Sequence, residues 1–312
     1  VLVLVLRGRI PSLADLTAAA TGAQGRWVLA AGVAQAVSIG MFARQQQRLL
    51  RAFGVRVGIG RMTAITYARS AISISMPAGA AISAGYAFRQ YRTQGASQRT
   101  AATVMILSGV VSTAALVGLA AAGVGLTTAP AGWPVTAGTV LYATLAIAAV
   151  AVIAAAATIR LRHRWPALGS VVSSVLGSVR RAADSATTVR RRDWLLAALF
   201  SALNWLADLL CLVAAARAVG VIVPLAALGG AYLVAQAVRQ IPITPGGIGV
   251  IEASLLVALV SAGAAQAPAT AAVLIYRIMS CWAIVPIGLA LWAALQARGA
   301  RLPLLGRARP AG

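Results

Sequence analysis

The sequence predicts an all-α, polytopic membrane protein, and two features of it carry that class. Sixty per cent of the 312 residues are apolar and 10% are charged, against about 25% charged in a soluble domain, so such a surface could not face water. The apolar residues also fall in long blocks, such as Val135–Ile159 and Trp194–Ala216, each able to supply the ~20 residues a helix needs to cross the hydrocarbon core. Barrel-type alternation is absent, which leaves helices as the spanning structure that satisfies the backbone. Residues 1–312 read as one transmembrane domain.

Nine apolar elements follow in order: Trp27–Ala43, Val57–Met76, Gly79–Phe88, Thr100–Ala122, Val135–Ile159, Trp194–Ala216, Ile222–Ile241, Ile248–Gly263 and Ala269–Leu295. Ahead of them, Val1–Leu6 is apolar without a charged n-region, and is expected to be the end of a truncated transmembrane helix rather than a signal peptide. Residues 160–193 form a polar, basic linker. Within it Leu168, Val171, Val172, Val175, Leu176 and Val179 recur at helical spacing before Arg180 and Arg181. That pattern fits an amphipathic helix in the membrane interface, and equally an ordinary connecting helix.

The net charge is +22, and all 27 basic residues are Arg, clustered between the apolar blocks. This distribution suits cytoplasmic loops and anionic lipid headgroups. A nucleic-acid partner would require a basic face on a soluble fold, which is absent. Arg44–Arg56 holds four Arg, Arg89–Arg99 three, Arg160–Arg192 eight and Arg298–Arg309 four. If every element spans, these segments share one side, the cytoplasmic side of the cytoplasmic membrane. If the third and eighth elements dip in and return, the segments divide between both sides. Charge therefore favours full crossing, although Gly79–Phe88 is too short for a plain spanning helix.

The chain also resembles itself. Trp27-Val-Leu-Ala-Ala is similar to Trp194-Leu-Leu-Ala-Ala, and Arg51-Ala-Phe-Gly-Val-Arg-Val to Arg217-Ala-Val-Gly-Val-Ile-Val. Pro77, Gly79, Gly95, Ala96 and Gln98 match Pro245, Gly247, Gly263, Ala264 and Gln266 in the same order. Residues 27–124 and 194–297 are thus two repeat halves. Five spans separate the two starts, an odd number that makes the halves inverted in the membrane, a common transporter plan with short Pro/Gly-interrupted helices.

The segment most suggestive of a site runs from Arg239 to Glu252. Pro242 and Pro245 end one helix, because neither donates a backbone hydrogen bond. Gly246, Gly247 and Gly249 allow an irregular turn, and Glu252 follows in the first turn of the next helix. Free N–H groups at such a start can bind a phosphate, and a plain tight turn is the alternative. Arg277, beside Tyr276, lies well inside the last span and requires a partner, with Glu252 and Asp208 as candidates. Asn204 stands one turn before Asp208 on the same face. In the first half, Arg69 follows Arg61 at a spacing of two turns, with Ser70, Ser73 and Ser75 nearby, a face suited to a phosphate headgroup. Cys211 and Cys281 lie in apolar blocks and His163 among Arg residues, so no metal site, cofactor or catalytic motif is expected.

Pro242-Ile-Thr-Pro-Gly-Gly-Ile-Gly-Val-Ile-Glu252, then Gly263, Leu274-Ile-Tyr-Arg277 and Trp282, resemble the lysylphosphatidylglycerol synthase transmembrane, or flippase-like, family. The resemblance runs from the Arg44 region to Trp292. It implies an inner-membrane protein that moves or handles a lipid with a polar headgroup; in two-part members the membrane unit is associated with translocating an aminoacylated phospholipid. It assigns substrate-site roles to Pro245, Gly246, Gly247, Gly249, Glu252 and Arg277. The family's Pro-Gly-Arg-x-Gly-Glu-like turn and later Glu-Arg in the first half read here as Pro77-Ala-Gly-Ala-Ala-Ile-Ser83 and Ser108-Gly109. The 312 residues show no soluble domain able to use an aminoacyl-tRNA, so synthase activity is not expected of them. The expected function is translocation of a phospholipid or lipid-linked substrate, with membrane lipids as partners. The alternatives are a membrane subunit that scaffolds an envelope-synthesis enzyme, and a membrane-embedded transferase.

Overall fold

The computed structural model describes residues 22–76, 78–126, 189–239 and 249–305, with residues 177, 180, 184–187 and 247 besides. The element expected at Val135–Ile159, the amphipathic stretch from Leu168 to Val179 (apart from residue 177) and the N-terminal Val1–Leu6 lie outside them. The described elements are helical throughout. They are α1 (Gly25–Ala52), α2 (Ile59–Ser75), α3 (Gly79–Thr93), α4 (Gln98–Leu126), α5 (Arg191–Ala218), α6 (Leu225–Arg239), α7 (Val250–Ser261), α8 (Gln266–Arg277) and α9 (Ile284–Leu305). A π-helical turn at Ile278–Trp282 joins α8 to α9.

Within those elements, Gly25–Ala52, Gln98–Gly123, Arg191–Ala218 and Gln266–Ala297 are long and apolar enough to cross a membrane. Their outer faces carry large apolar side chains in the open, among them Leu29 at 70% and Leu195 at 71% exposure. Such faces belong in lipid rather than water.

The bundle is organised by α1 and α5, each 28 residues long and about 42 Å at 1.5 Å per residue. They run antiparallel, side by side. The Gln24 N–H donates to Ala218 O at 2.8 Å at one end, and Arg48 pairs with Asp193 at 2.7 Å at the other. Halfway along both, Ser38 Oγ donates to Asn204 Oδ1 at 3.0 Å.

Two hydrophobic clusters occupy opposite ends. One gathers Leu49 and Leu50 of α1, Val55 just after it, Tyr91 from α3, Val104 from α4 and Ala197 from α5, with Leu295 of α9 against it. Among the described residues, the Arg residues of 44–56, 89–99 and 190–192 adjoin this end. The other gathers Ala31, Ala215, Ala216, Val221, Leu259 and Ala272 with Trp27 against it. By the sequence match, several positions of the two cores pair: Leu49 and Leu50 with Ala215 and Ala216, Val55 with Val221, Tyr91 with Leu259 and Val104 with Ala272.

Helix ends repeat as faithfully. After α1, the Gly54 N–H reaches Arg51 O and the Val55 N–H reaches Leu50 O; after α5, Gly220 and Val221 bond Arg217 O and Ala216 O in the same pattern. The ends of α3 and α7 match in turn, through Gly95 and Gly263. All four glycines have φ between 73° and 94°, the left-handed conformation that closes a helix this way.

The short helices differ from the expectation that every element crosses. α2, α3, α6 and α7 have 17, 15, 15 and 12 residues, fewer than the ~20 a crossing requires. They form two hairpins. α2 leaves the Arg-rich end and α3 returns to it, where Arg61 Nη1 donates to Gln94 Oε1 at 2.9 Å. α6 and α7 leave and return at the opposite end, through Val221 and Leu259. Because both members of each hairpin stop short, the side on which the Arg segments fall is unchanged. The tip of the first hairpin is tight: Ala78 has φ 53°, and a Cβ on Gly79 would collide with the Ser73 carbonyl.

Close helix approach is tested at Gly288 of α9, where an added Cβ would meet the Tyr67 carbonyl and the Ala71 methyl of α2. Gly288→Val is expected to cost about 1–3 kcal/mol by overpacking, seen as a lower melting temperature in detergent, whereas Gly109→Val, at a site with open space around it, should have a small effect.

Candidate functional site

A cavity of about 520 Å³ opens where the hairpin tips meet the midpoints of α1 and α5. From the first half it is lined by Gln35, Ser38 and Phe42 of α1 and by Thr66, Ser70 and Ser73 of α2. From the second half come Asn204, Trp205 and Asp208 of α5, Arg239 of α6, Gly247, and Arg277, Ser280 and Cys281. Ala78 and Gly79 of one tip and Gly247 of the other border the same space. The bundle thus holds a chamber at half its depth whose wall is apolar over most of its area and carries a cluster of polar side chains.

Its chemistry is unequal. By the correspondence of the two halves, Asp208 stands where the first half has Phe42, Arg239 where it has Ser73, and Arg277 where it has Gly109. The ionisable groups facing the chamber therefore come from the second half and the first half supplies hydroxyls. Asp208, 5% exposed, accepts hydrogen bonds on Oδ2 from Tyr232 Oη at 2.8 Å, Gln236 Nε2 at 3.1 Å and Tyr276 Oη at 3.3 Å. These donors satisfy a carboxylate that would otherwise be costly to bury.

Arg277 Nε donates to Glu252 Oε1 at 2.6 Å, and the second carboxylate oxygen, Oε2, accepts from the Gly249 N–H at 2.7 Å. Of the two partners expected for Arg277, the geometry gives Glu252. This carboxylate ties the start of α7 to the end of α8, so the N–H of Gly249 is occupied from within the protein. Arg277 is 2% exposed and sits at the last α-helical residue before the π turn, whose wider winding turns Ser280 and Cys281 to the chamber.

Gly247 lies on the chamber wall and Gly249 caps α7 with φ 86°. Pro245 and Gly246 lie outside the described residues. Asn204 and Asp208 both line the chamber, and Tyr276 reaches it through Asp208. Arg69 is not on the lining: its guanidinium covers the Phe42 ring at 5.6 Å, near Tyr91, which bonds Gln46. The residue that sequence reasoning passed over is Arg239. It ends α6, is exposed into the chamber, and stands beside the Tyr276 hydroxyl with Asp208 in electrostatic reach. Its position immediately before the Pro/Gly segment was the available signal.

The Arg277–Glu252 pair makes a quantitative expectation. Arg277→Met leaves Glu252 without its cation and should lower stability by about 3–5 kcal/mol, whereas Arg277→Met with Glu252→Gln should recover most of the loss. Thermal unfolding in detergent of the unchanged protein, the two single variants and the double variant measures this, and a double loss equal to the sum of the single losses would show that the pair does not couple.

The comparisons with known proteins agree with this architecture. The sequence profile of the lysylphosphatidylglycerol synthase TM region matches residues 1–288. No curated protein matches the chain. The match and the helical bundle together make this chain a multi-pass membrane protein that belongs to the lysylphosphatidylglycerol synthase transmembrane family, a membrane unit linked to lipid metabolism or transport.

Proposed function

We propose that this chain translocates a phospholipid or lipid-linked substrate across the cytoplasmic membrane by lodging its polar headgroup in the central chamber. The observation that carries the reading is a cavity at mid-depth in a lipid-facing bundle whose largely apolar wall holds Asp208, Arg239, Arg277 and several hydroxyls, bordered by elements of both halves. A structural brace between helices would need no such space, and an apolar core would fill it.

The halves are read as an inverted repeat. Their leading helices α1 and α5 correspond in sequence and lie antiparallel, which a two-fold axis in the membrane plane produces and an axis along the membrane normal does not. The axis passes close to Ser38 and Asn204, which correspond to one another and touch. The two hairpins then enter from opposite faces, and irregular backbone at their tips lines a cavity rather than lipid, as backbone hydrogen-bonding demands. The Arg-rich end faces the cytoplasm under the positive-inside rule.

Reconstituted vesicles containing a fluorescent phospholipid test the function. The protein should accelerate exposure of inner-leaflet lipid to an external quencher, and Ser38→Trp, which fills the chamber at its centre, should reduce the rate at least ~10-fold while the purified protein stays monodisperse. Rates equal to those of protein-free vesicles would sink the reading. For orientation, a cysteine at Gln94, in a background lacking Cys211 and Cys281, should react only with reagents admitted to the cytoplasmic face; reaction from outside intact cells would reverse the assignment.

A further inference from the structure

We infer that the chamber exchanges water and small anions with the Arg-rich end alone, along a polar path that begins behind the Phe42 ring. Such exchange is independent of whether a lipid crosses. On α1, Gln35, Ser38, Phe42 and Gln46 recur three and four residues apart and so share one face. The first three line the chamber, and Gln46 lies one turn further toward the Arg-rich end. Phe42 is therefore the apolar interruption in an otherwise polar stripe. Its ring borders the chamber, and the Arg69 guanidinium, which does not border it, covers that ring at 5.6 Å from the centroid. Arg69 is partly exposed, so its open surface meets a separate space. A permanent cation is costly against hydrocarbon, which makes that space an aqueous one.

Beyond the ring the polar groups continue. Arg69 is within hydrogen-bonding reach of the Tyr91 hydroxyl, and that hydroxyl donates to Gln46 Oε1. Gln46 and its neighbour Gln45 are fully buried, yet Gln46 Nε2 and Gln45 Oε1 have no partner in the protein. One is a donor and the other an acceptor, and water meets both demands. The opposite end has nothing comparable. There Gln46, Arg69 and Tyr91 correspond to Leu212, Ala235 and Leu259, all three buried in the other core. Water leaving the chamber thus finds bonding partners toward one end and close-packed hydrocarbon toward the other. Arg69 acts on this path in two ways. Its charge holds the ring in place by a cation–π contact. The same charge, at the neck of the path, concentrates anions and repels cations. The ring can leave the neck by changing rotamer, with no helix displaced.

The test follows a thiol at the centre of the chamber, Ser38→Cys, in the full chain lacking Cys211 and Cys281 and reconstituted in vesicles, with Gln94→Cys marking the Arg-rich face. The reagents are the anionic sulfonatoethyl and the cationic trimethylammonioethyl methanethiosulfonates, each rate taken relative to that of the same reagent with a free thiol. Phe42→Ala should speed labelling from the Arg-rich face about tenfold or more, as a modestly lowered barrier does, and leave labelling from the other face unchanged. Phe42→Leu, which keeps an apolar side chain for packing, should show a smaller gain in the same direction, and it carries the test if the alanine protein is not monodisperse. The anionic reagent should lead the cationic one by about tenfold, and Arg69→Gln should erase that lead. An unchanged rate in folded Phe42 variants, equal gains from both faces, or a lead that survives Arg69→Gln would overturn the inference. A protein that meets all three expectations yet moves no phospholipid keeps the path and loses translocation.

Discussion

The antiparallel seam between α1 and α5 is the constraint on which the remainder of the molecule depends. Two hairpins bring helix tips into the middle of a bundle whose outside is lipid. A helix end has backbone groups without intrahelical partners, and hydrocarbon offers none. The tips can stop at half depth only because α1 and α5 hold a wet space open there. The seam is tied by one backbone bond, one ion pair and one central hydrogen bond, spread over ends and middle, which fixes register along some 42 Å. A slip of one turn would carry Ser38 away from Asn204 and swing Asp208 from the chamber.

Around that seam, the two halves use the same packing with different chemistry. The left-handed glycine ends at Gly54 and Gly220, and at Gly95 and Gly263, are alike, and apolar positions of the two cores pair in the sequence match. The polar positions are not. At the Arg-rich end, buried Gln45 and Gln47 bond the backbone carbonyls of Ser108 and Val57, and Gln46 bonds Tyr91. At the corresponding places the second half has Cys211, Leu212 and Val213. The second half instead places Asp208, Arg239, Glu252 and Arg277 towards the centre. One half carries its polar network at the rim and the other at the core.

Much of this was legible before any coordinates. Long apolar blocks gave four of the helices that can cross, since hydropathy over a span is a property of composition. The self-match at Arg51 and Arg217 includes Gly54 and Gly220, which both close a helix at positive φ, where a glycine is hard to replace. Glu252 and Arg277 were legible as partners because charge in hydrocarbon demands one. Hairpin depth was not: a re-entrant helix and a spanning one share the same apolar pattern, and only the tips' position beside Ser38 and Asn204 separates them. Arg239 heads the Pro/Gly segment but received no role of its own, because an Arg at a helix end ordinarily marks the interface. Arg69 drew attention for the converse reason, its helical position being interior while Phe42 takes up its charge.

The placement of charge on one half alone has an energetic consequence. Two identical inverted halves would exchange conformations by a symmetry operation, so the form open to one face and the form open to the other would be equal in energy. Replacing Phe42, Ser73 and Gly109 by Asp208, Arg239 and Arg277 in the partner half removes that degeneracy. On the proposed translocation reading, movement of the second half would change the hydration of charges and movement of the first half that of hydroxyls and a ring. The empty protein would then rest with one face favoured, and a bound headgroup would have to supply the difference before the other face opened.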